Sequence, residues 1–159
     1  MLKLFIMDVD GVLTDSGMYY SENGDELKKF STYDGKAMEF LREKGIKTAI
    51  ITAENSYIVE DRAKKIKIDF VFQGVEDKLT VAKDLCIKEK VSLESEVSYI
   101  GDDVNDIELL NIVKYKACPA NAMNKVKEIS GVELMHNNGG NGAVREFVEL
   151  LIDKGYLDD

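Results

Sequence analysis

Apolar residues along the chain fall into short runs separated by amphipathic stretches. The runs Leu2–Met7, Lys47–Thr52, Asp69–Phe72, Val97–Ile100 and Tyr115–Cys118 predict strands, and Val132–Met135 predicts a weaker one. Helical spacing lies between them. Val144, Phe147, Val148 and Leu151 recur at i, i+3, i+4 and i+7; Ile58, Val59, Ala63 and Ile66 repeat the theme, as do Leu79, Ala82, Leu85 and Cys86. Strands alternating with helices predict an α/β fold, a parallel sheet with helices on both faces. One segment breaks the alternation. Met18–Ser21, a turn of Glu22-Asn23-Gly24-Asp25, and Glu26–Phe30 predict a β-hairpin, with residues 17–31 as an insertion directly after the first strand. Such an insertion stands above the sheet edge where ligands bind in folds of this kind.

Size and charge narrow the picture. A chain of 159 residues, with 45% hydrophobic and 32% charged positions, predicts one soluble domain over residues 1–159. No apolar run is long enough to span a membrane and the N-terminus enters a strand at once, so a cytoplasmic protein is expected. The formal net charge of -9 argues against a nucleic-acid or anionic-membrane partner. An anionic substrate stays possible where a local cation meets it. Cys86 and Cys118 lie inside apolar segments without metal-ligand spacing and read as buried free thiols. His136, the only histidine, reads as an exposed strand-end residue.

Three predicted strands end in polar residues that an inert core would not hold. The first ends Asp8-Val9-Asp10-Gly11, the second in Thr52, and the fourth in Gly101-Asp102-Asp103, with Asp106 one helical turn on. In a parallel sheet these ends share one edge. Aspartates there also serve as caps and turn formers, and Lys78 taken alone reads equally as a solvated helix-start lysine. Converging carboxylates need a cation, and oxygen ligands without His or Cys point to Mg2+.

DVDGVLTD at residues 8–15, Thr52, Lys78 and GDDVND at residues 101–106 resemble, in order, the four motifs of the haloacid dehalogenase-like (HAD) phosphatases. The resemblance implies a Rossmann-like HAD fold and a phosphoric monoester hydrolase that works through an aspartyl-phosphate. It implies Asp8 as nucleophile and Asp10 as general acid/base. Mg2+ would be held by Asp8, the Asp10 carbonyl and Asp102, and the phosphate by Thr52 and Lys78. Asp103 and Asp106 would stand behind these groups, Asp106 orienting Lys78 or a metal-bound water. Asp15 is left as a loop residue entering the hairpin.

Neither interval between motifs is long enough for a folded cap domain, so a capless enzyme is expected. The segments GMYYSENGDELKKFSTYDG, EDRAKKIKIDFVFQGVEDKL and NNGGNGAVREF resemble the capless sugar-phosphate phosphatases. That group includes 3-deoxy-D-manno-octulosonate (KDO) 8-phosphate phosphatases, relatives acting on nononate 9-phosphates, and domains attached to acylneuraminate cytidylyltransferases. It implies a homotetramer packed through its hairpins, in which Gly139, Gly140 and Gly142 bring backbone to a neighbour's site. KDO 8-phosphate phosphatases typically place an Arg two residues after the motif threonine. Here that position is Glu54, with Ala53 in place of the usual Gly, which resembles the nononate type. Glu54, Lys65 and Thr32 are the candidate specificity residues, Lys65 either neutralising Glu54 or meeting a substrate carboxylate.

The main expectation is therefore a Mg2+-dependent phosphatase acting on a phosphorylated 2-keto-3-deoxy sugar acid, a nononate 9-phosphate, with KDO 8-phosphate as the alternative. Two readings of another class are a receiver-like signalling domain and a catalytically idle partner of a sugar-activating cytidylyltransferase. Asp10 argues against the first, because a hydrolase needs a proton shuttle and a switch needs a long-lived phosphoryl group.

Overall fold

The computed structural model describes residues 1–24 and 26–157; Asp25, which the predicted hairpin turn includes, and residues 158–159 lie outside the described residues. Six parallel strands form the central sheet in the order β5-β4-β1-β6-β7-β8. They are β1 (Leu4–Met7), β4 (Lys47–Ile51), β5 (Phe70–Phe72), β6 (Val97–Ile100), β7 (Tyr115–Cys118) and β8 (Glu133–Leu134). The acidic strand β1 sits centrally, with Met7 level with Ile50 on one side and Ile100 on the other. That register brings the residues after β1, β4 and β6 to one sheet edge.

The period of two along β1 sorts its side chains between two cores. Phe5, Met7 and Val9 pack with α1 (Thr32–Glu43), α2 (Tyr57–Ile66) and α7 (Ala143–Asp153). Leu4 and Ile6 pack on the other face with α3 (Lys78–Glu89), the one-turn α4 (Leu93–Glu96), α5 (Ile107–Ile112) and the short α6 (Asn124–Lys127). All four residues of β1 are fully buried, as a strand covered on both faces requires. Cys86 and Cys118 are free and buried.

Local signals set the helix starts. The Ser31 and Ser56 hydroxyls each accept from the backbone two residues on, at 3.2 Å, and open α1 and α2. The Asp77 carboxylate accepts from Thr80 N at 3.0 Å and opens α3, leaving Lys78 as its first residue. The hairpin consists of β2 (Tyr19–Tyr20) and β3 (Glu26–Leu27), closed at its base by an antiparallel bridge between Thr14 and Phe30. No cap domain is inserted among the described residues, and none of their helices is long and apolar enough to cross a membrane.

Candidate active site

The chain leaves β1 through Asp8-Val9-Asp10 and turns at Gly11, whose φ of +83° lies in the left-handed region. A second constraint acts there. A Cβ on Gly11 would lie 1.9 Å from Asp102 Oδ2, so only glycine lets Asp102 approach the β1 exit. Asp8, Asp10, Thr52, Ala53, Glu54, Asp102 and Asp103 then line one cleft of about 190 Å³, open to solvent.

Lys78 projects from the start of α3 into this edge, 3.0 Å from Asp8 Oδ2 and 2.6 Å from Asp106 Oδ1, with its side chain 1% exposed. It is not a solvated helix-start lysine. Asp106, fully buried, accepts at both oxygens. Oδ1 takes Lys78 Nζ and the Tyr99 hydroxyl, each at 2.6 Å, while Oδ2 takes the backbone N–H groups of Asp102 and Asp103 at 2.8 and 3.1 Å. It thereby fixes both Lys78 and the loop that carries Asp102. The exposed Asp103 caps that turn, accepting from Val104 N at 2.6 Å.

Carboxylate oxygens of Asp8, Asp102 and Asp106 lie within 4.8 Å of one another. Burial, then the negative charge of Asp106, pushes Asp8 up to about 7 against the pull of Lys78. Burial, then Asp8, Asp106 and Asp103, pushes Asp102 up to about 8. Burial also works against the charge on Lys78, but Asp8 and Asp106 outweigh it and the amine is raised. One ammonium is thus too little for three carboxylates, and a second cation fits the donor set. Asp106 already has four donors, so the oxygens left for a metal belong to Asp8 and Asp102. Only hard oxygen is offered, which suits Mg2+.

Asp10 is held differently. Its Oδ1 accepts from Lys28 Nζ at 2.7 Å and from Thr14 Oγ1 at 3.4 Å, while Oδ2 is buried without a partner. Lys28 comes from the hairpin and is absent from the sequence-based candidates. The signal available was alternation: Glu26, Lys28 and Phe30 are half-buried where Leu27 and Lys29 are exposed. Asn121 is a second addition, donating from Nδ2 to the Gly11 carbonyl at 3.0 Å and accepting from Gly139 N at 2.7 Å.

The remaining candidates divide. Thr52 is buried at the cleft, its backbone tied to Phe72 and Val75. Glu54 shares the cleft, but Lys65 does not. It lies at the far end of α2 in a separate groove with Thr32, Arg42, Arg62 and Lys67. The Lys65–Glu54 pairing is therefore not made within the chain, because Glu54 lies in the loop ahead of the Ser56 cap and α2 carries Lys65 to its far end. Glu54 is instead one of the carboxylates, after Asp10 and Glu26, whose charge raises Lys28. Gly139 and Gly140 pack against their own chain. A Cβ at Gly139 would fall 2.1 Å from Gly11 O, one at Gly140 2.6 Å from Asp15 N, and Gly140 N donates to Val12 O at 3.3 Å. Close packing inside the subunit accounts for glycine at both positions. Gly142 is buried at the N-terminus of α7, in the left-handed region. Asp15 makes a turn, accepting from Gly17 N at 3.0 Å and from the Tyr19 hydroxyl. His136 is exposed and paired with Glu146.

A parallel sheet with carboxylates, a threonine and a buried lysine on one carboxyl edge defines a hydrolase built for phosphoryl groups. The sequence agrees with that class: residues 68–147 match the family model of haloacid dehalogenase-like hydrolases. The KDO 8-phosphate phosphatase KdsC of Salmonella typhi is 36% identical over 159 residues, covering 99% of this chain and 84% of the relative. Among solved structures, the KDO 8-phosphate phosphatase of Moraxella catarrhalis, in complex with magnesium, phosphate and KDO, superposes with a TM-score of 0.90 at 38% identity, over 96% of this chain and 86% of the other. The Yersinia pestis enzyme gives 0.91 at 34% identity, over 99% and 84%. The chain belongs to the haloacid dehalogenase-like hydrolases, on their capless phosphatase branch.

Proposed function

We propose that the protein is a Mg2+-dependent phosphatase that hydrolyses the phosphate monoester of a 2-keto-3-deoxy sugar acid, KDO 8-phosphate, through an aspartyl-phosphate. The arrangement of Asp8, Lys78, Asp106 and Asp102 on one sheet edge carries the reaction class, and the named activity of the relatives favours KDO 8-phosphate over a nononate. Asp8 attacks phosphorus. Asp10 gives a proton to the departing sugar oxygen and then takes one from the water that opens the aspartyl-phosphate. Lys78 and Thr52 meet the equatorial phosphoryl oxygens, where charge spreads in the transition state. Asp106 holds Lys78 in place, and Asp103 braces the loop that presents Asp102. Mg2+, held by Asp8, Asp102 and the Asp10 carbonyl, supplies charge neutralisation for the phosphoryl group.

Glu54 favours the second reading, a nononate 9-phosphate, since a carboxylate rather than a guanidinium follows Thr52 by two residues. The two sugar phosphates are separated by kcat/KM measured in parallel with Mg2+. At least tenfold preference for KDO 8-phosphate is expected, and equal or reversed values would restore the nononate. A homotetramer packed through its hairpins is supported by the exposed Met18, Tyr20 and Leu27. Light scattering that returned a monomer at micromolar concentration would remove it. In such an assembly Thr32, Lys65 and Gly142 would act on a neighbouring subunit's substrate. A cytoplasmic setting fits a sugar-phosphate substrate.

A further inference from the structure

Among the described residues, Lys28 is the cation that the hairpin buries behind the cleft. Its side chain is 1% exposed, its Nζ lies 2.7 Å from Asp10 Oδ1, and Glu26 is the next carboxylate at 3.9 Å. It is not among the residues that line the cleft, so it stands behind Asp10 rather than beside the substrate. The other side-chain contact to Asp10 is Thr14 Oγ1 at 3.4 Å, and Oδ2 has no partner. The orientation of this carboxyl group therefore rests chiefly on Lys28. As Asp10 gives up its proton it becomes an anion, and an ammonium already in contact stabilises it at that moment.

We propose that Lys28 is a positioning residue for Asp10, through which the hairpin completes the proton-transfer machinery of the site. The inference rests on the acid/base reading of Asp10. The step is balanced: the P–O bond to the sugar breaks as the bond to an Asp8 oxygen forms, and the proton on Asp10 passes to the departing sugar oxygen.

Leaving-group dependence tests this. A sugar alkoxide needs a proton as it departs, whereas p-nitrophenolate does not, and kcat/KM reports only the steps through phosphoryl transfer. Lys28→Met should lower kcat/KM for KDO 8-phosphate by roughly 10- to 100-fold, within the range of general acid catalysis, and that for p-nitrophenyl phosphate by less than about threefold. Lys28→Arg, which keeps a cationic donor and guards against a Met variant that fails to fold, should recover most of the sugar-phosphate activity. Asp10→Asn is the reference and should show the same asymmetry, with Lys28→Met adding little in the double variant. Equal losses on both substrates in the Lys28 variants, or none, while Asp10→Asn stays asymmetric, would overturn the role of Lys28 alone. An Asp10→Asn variant without the asymmetry, or a wild-type enzyme that turns over neither substrate, would overturn the underlying reading and this proposal with it.

Discussion

Replacing Asp106 by asparagine should destabilise the protein almost as much as replacing it by alanine. The carboxylate is buried with four donors around it: Lys78 and Tyr99 on Oδ1, and two backbone N–H groups on Oδ2. An amide has one acceptor oxygen and one NH2 donor. With the oxygen turned toward Lys78, the NH2 faces two backbone donors; turned the other way, it faces an ammonium and a hydroxyl. Either orientation orphans two donors, at about 1–3 kcal/mol each, and leaves Lys78 with Asp8 as its remaining carboxylate, at 3.0 Å. Two orphaned donors together cost about 2–6 kcal/mol, so both variants should lose about 4 kcal/mol. Urea unfolding in EDTA, which keeps metal binding out of the measurement, reads the effect. With an m-value of about 2 kcal/mol per molar, the midpoint should fall by about 2 M. An Asp106→Asn midpoint within about 0.5 M of wild type would refute the four-donor argument.

Other consequences can be checked alongside it. Gly11→Ala forces a non-glycine residue to φ +83° and places its Cβ on Asp102. Phosphatase activity should drop by at least about tenfold, while stability falls by only about 1–2 kcal/mol; retained activity would contradict the close approach. Buried Asp34 accepts from Arg145 N at 2.9 Å, and burial raises it from 3.8 to about 6. For a carboxyl raised on folding, the native state keeps its proton longer, so this group's contribution to stability is intact below pH 4 and falls as pH rises through 4 to 6. Asp34→Asn, which keeps an acceptor for Arg145, should gain on wild type by up to about 3 kcal/mol across that window. A difference that does not vary with pH would count against it. Mg2+ should raise the melting temperature of the wild-type protein and leave Asp102→Asn unmoved; equal shifts in both would place the metal elsewhere.

Apolar runs made the sheet legible because strands covered on both faces must be nearly continuous in hydrophobicity, as β1 is. The edge that carries the site followed from that: once β1, β4 and β6 are parallel neighbours, Asp8, Thr52 and Asp102 converge whatever the loops do. Lys78 is less legible. A lysine after an Asp cap looks solvated, and its burial depends on Asp106, 28 residues on, and Asp8, 70 residues back. Lys28 was hidden for the same reason, since a two-residue strand gives little periodicity and the contact to Asp10 spans 18 positions. Lys65 and Glu54 do not pair within the chain because Glu54 precedes the Ser56 cap of α2 while Lys65 sits in the last turn of that helix, nearly three turns on. The glycines at 139 and 140 announce close approach, but sequence does not say to which chain; Gly11, Val12 and Asp15 of the same subunit meet them.

Phosphate release from KDO 8-phosphate by the wild-type protein and by Asp8→Asn, each with Mg2+ and with EDTA, tests the central claim most directly. The account predicts turnover only for the wild type with Mg2+. Turnover by Asp8→Asn, or wild-type turnover that survives EDTA, would contradict it.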